Sequence, residues 1–329
     1  MKKEKIGFNN LEKEVIKKGL CSYCGTCIGV CPVRCIGIVD ETISLVDECK
    51  ECGVCLSKCP RSNLNVNPED LGPHYDEYLG PYSKITCAKS KRDEIIRVSQ
   101  DGGVITSLLT YLCDLGDFIV AVTRDKEWKP IPVLTSDKND IINAAGSKYS
   151  VASPNRVLSG VKDSVSVVGT PCQMEGLRNI ILNPKGAKKL ASKINFLIGF
   201  YCTENFVYSK LKSFLVGRKI DLKSVRKFDI KRGKFIIHER EIHEFPISAL
   251  EECISSGCHF CRDFTAMMAD ISVGSLGVPP DHNSVIIRTE KGLNLWSACV
   301  KEGYIEEGET EVNLKPIRKL SQRKRERKI

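Results

Sequence analysis

The stretch CSYCGTCIGVCP, residues 21–32, returns as CKECGVCLSKCP at residues 49–60. Both copies have the spacing C-x2-C-x2-C-x3-C-P. Two-cluster bacterial ferredoxins use this spacing to bind a pair of [4Fe–4S] clusters, and the fourth cysteine of each run ligates the other cluster. The repeat therefore predicts a ferredoxin-type front module over residues 1–62.

The crossing rule assigns four cysteines to each cluster. The first set is Cys21, Cys24, Cys27 and Cys59, and the second set is Cys49, Cys52, Cys55 and Cys31. Two zinc knuckles or a disulfide framework are the alternatives, but zinc sites usually combine two C-x2-C pairs or mix cysteine with histidine. Cys35 falls outside the pattern and is interpreted as a packing residue.

Length and composition set the class of protein. The chain has 329 residues, 42% of them hydrophobic, which predicts a large core and two or three domains. No apolar run reaches membrane-spanning length, and the charged amino terminus has no secretory h-region. With 17 cysteines, many of them placed on clusters, a reducing cytoplasm is the expected compartment.

The positive charge is concentrated at the carboxyl end. The net charge is +9, and residues 315–329, KPIRKLSQRKRERKI, contain eight basic residues and one acidic residue. Such a tail would suit an acidic partner, an anionic membrane surface or nucleic acid. A frayed, solvated terminus is the plain alternative. We expect no nucleic-acid partner and leave peripheral contact with the inner face of the cell membrane open.

The rest of the chain divides by composition. Residues 63–95 are rich in proline and glycine and predict a linker with little regular structure. Residues 96–313 alternate short apolar strands with helical stretches, which predicts a layered α/β body, and residues 314–329 form the basic tail. The fold class is thus α+β or α/β, with the front module ahead of the body. The hairpin in the body is expected at Arg232–Gly233.

Five further cysteines suggest a second kind of metal site. Cys172 lies in GTPCQ where a strand gives way to a helix, Cys202 ends a strand, and CHFC supplies Cys258 and Cys261. Strand ends meet at one edge of an α/β sheet, so these four could hold a third cluster, with Cys253 as the spare. A C-x2-C pair is also compatible with zinc or a redox pair, and these alternatives stay open.

Iron–sulfur clusters exchange one electron at a time, whereas hydride donors deliver two, so a flavin is the usual converter. Three segments could face a flavin: SQDGGVITS with a Gly pair before a helix, GSKYS with Lys148, and ADISVGSLG, a strand that runs into a Gly/Ser loop. None of them is the G-x-G-x-x-G dinucleotide fingerprint. Each segment could equally be an ordinary turn.

The blocks SQDGGVITSLL, GSKYS, GTPCQ, FYCTEN and CHFCRDFTAMMADISVGSLG follow one another in this order. Together they resemble the beta-subunit family of coenzyme F420-reducing hydrogenases and F420 dehydrogenases over residues 80–300. The resemblance implies an α/β body that holds FAD beside one [4Fe–4S] cluster. It implies that Cys172, Cys202, Cys258 and Cys261 ligate this cluster. The double ferredoxin front is most similar to the dehydrogenase input subunit.

The resemblance also implies a route for electrons. Reduced F420 would give hydride to FAD, and single electrons would pass through three [4Fe–4S] clusters to a partner, or in reverse. The partner would be a dehydrogenase, hydrogenase or membrane-complex subunit. We expect no dedicated catalytic residue. The expected FAD contacts are Ser99, Gly102, Gly103, Thr106, Lys148, Thr170, Gln173, Asp270, Ser272 and Ser275.

Lys148 or Arg262 would meet the anionic tail of F420, although a surface ion pair is the plainer role for either.

Three other interpretations of the whole chain remain. The chain could be a flavin-free electron-transfer adaptor. It could be a relative whose flavin is reduced by ferredoxin or a nicotinamide. An iron–sulfur protein that binds nucleic acid through the basic tail is the third interpretation.

Overall fold

The computed structural model describes residues 5–62, 64 and 66–327. The front module wraps short elements around its two cysteine motifs. Gly25 and Gly53 have φ angles of 83° and 71° and let the chain turn into the helix of each motif. The elements are α1 (Phe8–Leu11), a π-helical turn (Glu12–Ile16), α2 (Thr26–Gly29), β1 (Ile36–Val39), β2 (Thr42–Leu45) and α3 (Val54–Lys58).

The segment predicted as a linker contains regular structure. It forms a 3-10 helix (Pro68–Leu71), β3 (His74–Asp76), β4 (Gly80–Tyr82), β5 (Lys84–Ser90) and α4 (Asp93–Ile96). The expectation of little regular structure was therefore wrong, most clearly for β5, which lies inside the main sheet. Its buried positions Cys87 and Ala88 are small, so the strand shows no conspicuous apolar pattern.

The body is an α/β structure around one eight-stranded mixed sheet. Its remaining elements are α5 (Val104–Asp114), β6 (Phe118–Arg124), β7 (Pro130–Thr135), α6 (Lys138–Asn143), a 3-10 helix (Pro154–Gly160), β8 (Val165–Gly169), α7 (Pro171–Leu182), α8 (Lys188–Ala191), β9 (Ile194–Phe200), α9 (Tyr208–Val216), β10 (Lys227–Lys231), β11 (Lys234–His238), β12 (Ile242–Pro246), a 3-10 helix (Ile247–Cys253), α10 (Ser256–His259), β13 (Ile271–Gly274), β14 (Asn283–Ile287), α11 (Glu290–Lys301), β15 (Ile305–Glu307) and α12 (Leu314–Arg325).

The strand order is β15-β5-β14-β13-β9-β8-β6-β7. The four inner strands β13, β9, β8 and β6 are parallel to their neighbours within this group, and the flanking strands are antiparallel. The sequence-based expectation of a mixed α/β fold is confirmed. Because the carboxyl ends of β8 and β9 share one edge, the segments that follow them are brought together.

The two faces of the sheet carry different layers. Neighbouring residues of β9 point to opposite faces: Ile198 packs with Leu108 of α5 and Trp296 of α11, whereas Leu197 packs with Leu177 of α7. Val30 of the front module belongs to the same group of buried apolar residues as Leu197 and Leu177. The front module therefore packs on the α7 side of the body.

A three-stranded antiparallel sheet, β10-β11-β12, forms a separate cluster with α9. The predicted hairpin turn at Arg232–Gly233 is confirmed, with φ angles of 52° and 73°. The third strand, β12, was not predicted. Its side chains are exposed or only half buried, so its alternation is not marked by apolar residues.

The basic tail forms a packed helix, α12, as far as Arg325. The alternative that it is a frayed, solvated terminus was therefore wrong for these residues. Ile317 and Ser321 of α12 are fully buried, and Lys324 is 3% exposed. The Ser321 hydroxyl donates to the carbonyl of Tyr78 at 2.5 Å. The period of these buried residues was masked by the basic residues between them. No helix in the described part of the chain has the length and apolar character needed to cross a membrane.

Candidate cofactor sites

Four body cysteines line one cavity. They are the four predicted cluster ligands, Cys172, Cys202, Cys258 and Cys261. The spare, Cys253, is buried in the separate cluster around α9 and is not among the residues that line this cavity. We call this space the body cavity. The structure thus brings together the four thiols chosen from strand ends, and their role as ligands stays a prediction.

Local structure explains how these cysteines meet. Cys172 lies in the first turn of α7, whose N-cap Thr170 forms a capping box with Gln173. The Thr170 hydroxyl is 3.3 Å from the Cys172 sulfur. Cys202 follows β9, and its amide donates to the Phe264 carbonyl at 2.9 Å, which ties it to the CHFC segment. A strand end, a helix start and a loop therefore converge on the cavity.

A second cavity lies in the front module. It is lined by Cys21, Cys24, Cys27 and Cys59, the first predicted ligand set. Burial raises the pKa of Cys21 and of Cys59 to about 12. Thiols that resist ionisation as Cys21 and Cys59 do need a positive centre beside them to become ligands. We call this space the front cavity.

The second predicted set lies nearer the surface. Burial raises the pKa of Cys55 to about 11, and the charges of Cys49, Cys52 and Cys31 add to this effect. These four sulfurs are therefore electrostatic neighbours. Cys52 is exposed and Cys49 is half buried. The sulfur of Cys35 lies 3.5 Å from that of Cys31, so Cys35 packs directly against this set.

The donor chemistry of both cavities fits iron–sulfur clusters. Each cavity is lined by four cysteine sulfurs, the ligand set that a [4Fe–4S] cluster takes. Within residues 5–62, 64 and 66–327, no three His, Cys, Asp or Glu side chains lie close enough together to hold a single ion.

Two basic residues lie at or near the body cavity: Lys324, which sequence reasoning missed, and Arg262, which it proposed for the anionic tail of F420. Lys324 of α12 lines the cavity and donates from Nζ to the Cys202 carbonyl at 2.5 Å. Burial opposes the charge of Lys324, but the thiols of Cys261 and Cys202 outweigh it and raise the lysine pKa. Arg262 donates to the Lys324 carbonyl at 3.3 Å, so it anchors α12. The spacing of buried residues in the tail was the available signal for Lys324.

The three segments proposed to face a flavin partly converge. Gln100 of the SQDGG loop accepts a hydrogen bond from Ser147 N of GSKYS at 3.2 Å, and Lys227 of β10 donates to the Gln100 carbonyl at 2.9 Å. Asp101 is hydrogen-bonded to Ser275, which follows β13. A Cβ at Gly102 would lie 2.9 Å from the backbone nitrogen of Asn283, so glycine is required there. We call this meeting point the loop junction.

Several predicted FAD residues use their polar atoms within the chain. The Ser99 hydroxyl donates to Ile95 O at 2.6 Å, and Thr106 is buried within α5. Gly103 starts α5 with a φ of 74°. The ammonium of Lys148 donates to three carbonyl groups beyond α6, while burial, aided by Arg124, lowers its pKa to about 7.

Asp270 and Ser272 belong to the core of the sheet. Asp270 pairs with Arg178 at 2.8 Å and accepts from Leu197 N at 2.8 Å. Ser272 accepts from Arg288 Nε at 2.8 Å. Thr170 and Gln173 lie at the body cavity and not at the loop junction. The ten predicted FAD residues are thus divided among the loop junction, the body cavity and the core, and their contacts with a flavin stay predictions.

Comparison with known proteins places these sites in a family. Residues 85–159 match the family described as coenzyme F420 hydrogenase/dehydrogenase, beta subunit N-term, and residues 162–313 match the corresponding C terminus. A coenzyme F420-dependent sulfite reductase from Methanocaldococcus jannaschii is 38% identical over 95% of this chain, and the chain spans 50% of that relative. An F(420)H(2) dehydrogenase subunit from Methanosarcina mazei is 31% identical, with 95% of this chain and 91% of the relative covered.

A third relative and a similar solved structure both come from Methanosarcina barkeri. The coenzyme F420 hydrogenase subunit beta of Methanosarcina barkeri is 34% identical over 77% of this chain and 91% of the relative. A chain in the structure of the F420-reducing [NiFe] hydrogenase complex from Methanosarcina barkeri matches with a TM-score of 0.74 at 33% identity, covering 77% of this chain and 92% of that chain. The resemblance drawn from the sequence blocks is confirmed: the chain belongs to the coenzyme F420 hydrogenase/dehydrogenase beta-subunit family.

Proposed function

We propose that this chain is an F420-linked oxidoreductase that passes electrons between coenzyme F420 and a partner protein through FAD and three [4Fe–4S] clusters. The observation that carries the proposal is the convergence of four cysteines on the body cavity next to the front module. The named relatives are F420-dependent hydrogenase, dehydrogenase and sulfite reductase proteins, which supports F420 as the coenzyme.

The arrangement of the cysteines supports a linear path. Ser22 lines both the body cavity and the front cavity, so the two spaces adjoin. Within the front module, burial raises the pKa of Cys27 of the first set, and the charge of Cys55 of the second set adds to this effect. The second set reaches the surface at Cys52. The path would therefore run from the body cavity through the front cavity to a partner docked near Cys52.

The loop junction is the proposed flavin-binding region. Gly102 lets the backbone pack closely against Asn283, and the amino-terminal end of α5, where Val104 N already donates to Asn283 Oδ1 at 3.2 Å, is the part that would face a phosphate. Bound there, a flavin would exchange hydride with F420 and single electrons with the clusters. The chain itself would orient the rings and shield them from water.

A flavin-free adaptor is the second candidate. It is favoured by the internal hydrogen bonds of Ser99, Lys148 and Asp270, which leave these side chains fewer free polar atoms for a flavin. Such an adaptor would relay electrons between two partners and would not react with F420 directly.

Anaerobic purification and a dye assay separate the two candidates. We expect the protein to contain flavin and about twelve iron atoms, and to reduce viologen when reduced F420 is added. NADPH and reduced ferredoxin are the parallel donors, and dye reduction by either alone would point to a relative that uses a different coenzyme. A flavin-replete protein that leaves the dye oxidised with reduced F420 would refute the proposal, and a flavin-free protein would favour the adaptor.

A further inference from the structure

Arg61 follows Pro60 at the end of the second cysteine motif. It lines the front cavity, and its side chain is 12% exposed. Its guanidinium pairs with Glu175 of α7 at 3.3 Å, and the Glu175 side chain is 8% exposed. Glu175 lies three residues after Cys172, so the ion pair connects the front motif to the helix that supplies a body cysteine.

Donors of this residue have no partner among the described residues. The Nε and Nη2 atoms of Arg61 are buried and make no hydrogen bond within residues 5–62, 64 and 66–327. The hydroxyl of Ser22, which lines both cavities, is likewise buried and makes no hydrogen bond within these residues. Buried donors are nearly always satisfied in native proteins, because leaving one unpaired costs about 1–3 kcal/mol. These three donors therefore require acceptors in the adjoining cavities.

Arg61 is placed next to both cysteine sets. It lines the front cavity together with Cys24, and its partner Glu175 lies on α7, three residues after Cys172, which lines the body cavity. Ser22 lines both cavities. One cation thus lies beside the front set and is paired with the helix that supplies a cysteine to the body set.

The backbone also permits this close approach. A Cβ at Gly257, next to Cys258, would overlap the carbonyl oxygen of Cys21. Any larger residue would push the front module away from the CHFC segment. The two cysteine sets are therefore held together by a glycine contact on one side and by the Arg61–Glu175 pair on the other.

We propose that Arg61, assisted by Ser22, is a positioning residue that donates hydrogen bonds to the sulfurs of both neighbouring clusters and raises their reduction potentials together. The inference rests on the proposed function, because it requires a cluster in each cavity. Hydrogen bonds and positive charge near cluster sulfurs favour the reduced, more negative state. Glu175 would limit this effect, since its carboxylate offsets part of the arginine charge.

The test is a redox titration of the anaerobically purified protein, followed by electron paramagnetic resonance. In Arg61→Gln, we expect two of the three clusters to become harder to reduce by about tenfold, or about 59 mV for one electron. In Glu175→Gln, the same two should become easier to reduce. The second front cluster serves as the internal reference and should not move.

Two further variants complete the design. Arg34→Gln removes an exposed front-module arginine that donates to the Ser159 carbonyl, and it should leave all potentials unchanged. Arg61→Lys retains the positive charge, so it should shift the potentials less than Arg61→Gln and serves if the glutamine variant loads poorly. If the potentials do not change in a fully loaded Arg61→Gln, or if all three clusters shift equally, the role of Arg61 would be overturned. The proposed function would not be affected by that result. A wild-type protein without a third cluster would overturn the proposed function itself.

Discussion

The front module and the body differ in what fills their cores. Among the described residues of the front module, half of the fully buried core consists of cysteines: Cys27, Cys31, Cys35, Cys55 and Cys59 pack with five other buried apolar side chains and with partly buried ones around them. The body has large clusters of aliphatic and aromatic residues on both faces of its sheet, such as Leu108 and Trp296 on one face. The body can bury enough apolar surface to fold by itself, whereas the front module would depend on the iron–sulfur clusters proposed for it.

The largest expected effect of this difference follows removal of iron. Anaerobic chelation should release the front module from its fold, because five fully buried apolar residues and the partly buried ones around them do not offset the entropy of ordering about sixty residues. Hydrogen–deuterium exchange should show fast exchange over residues 5–62. Strands β6, β8 and β9 should stay protected.

The same protein reconstituted with iron and sulfide is the control, and it should regain protection in the front module. If the stripped front module kept its protection, the apolar residues and the packing of Val30 on the body would be sufficient, and the contrast between the regions would fail.

This difference also decides what the sequence could predict. The front ligand sets lie in two contiguous motifs, so their spacing alone predicted four sulfurs around one cavity. The body cavity needed the additional argument that the ends of β8 and β9 share an edge, which correctly selected Cys172 and Cys202 over Cys253 as cavity-lining residues. Both predictions rest on geometry that is local to a motif or to parallel strands.

The parts that the sequence did not predict depend on distant contacts. Lys324 looked like one more charge in a basic tail, but α12 buries it against Cys202. Arg61 followed a cysteine motif without any pattern of its own, and its partner Glu175 is far away in the chain, on α7. Strand β5 was hidden because its pairing partners, β14 and β15, lie near the other end of the chain. No local periodicity encodes such pairs.

A cysteine substitution in the body should have the next largest effect. Cys172→Ser should remove one cluster, about four of about twelve iron atoms, while the two front clusters remain. The matched control is Cys253→Ser, which changes a cysteine that packs with α9 and should leave the iron content unchanged. Iron and sulfide analysis with resonance spectra checks both variants.

A loss of iron in Cys253→Ser equal to that in Cys172→Ser would mean that the body cluster needs Cys253 as much as Cys172, and the choice of ligands from strand ends would be wrong. Cys35 offers the corresponding comparison in the front module. Its sulfur lies 3.5 Å from Cys31, so Cys31→Ser should retain part of its cluster through Cys35.

The smallest effect should come from Lys324→Met, which tests whether the body cavity depends on α12. The Nζ of Lys324 donates to the Cys202 carbonyl, and its positive charge offsets the negative charge of neighbouring cysteine thiolates. Its loss should destabilise the protein by about 1–3 kcal/mol. A lower thermal midpoint and earlier release of the body cluster to a chelator, with the front clusters unaffected, are the expected results. Lys319→Met, on the exposed side of the same helix, should behave as wild type. Equal behaviour of the two variants would show that α12 only covers the cavity and that the body site, like the front motifs, is sufficient without a distant residue.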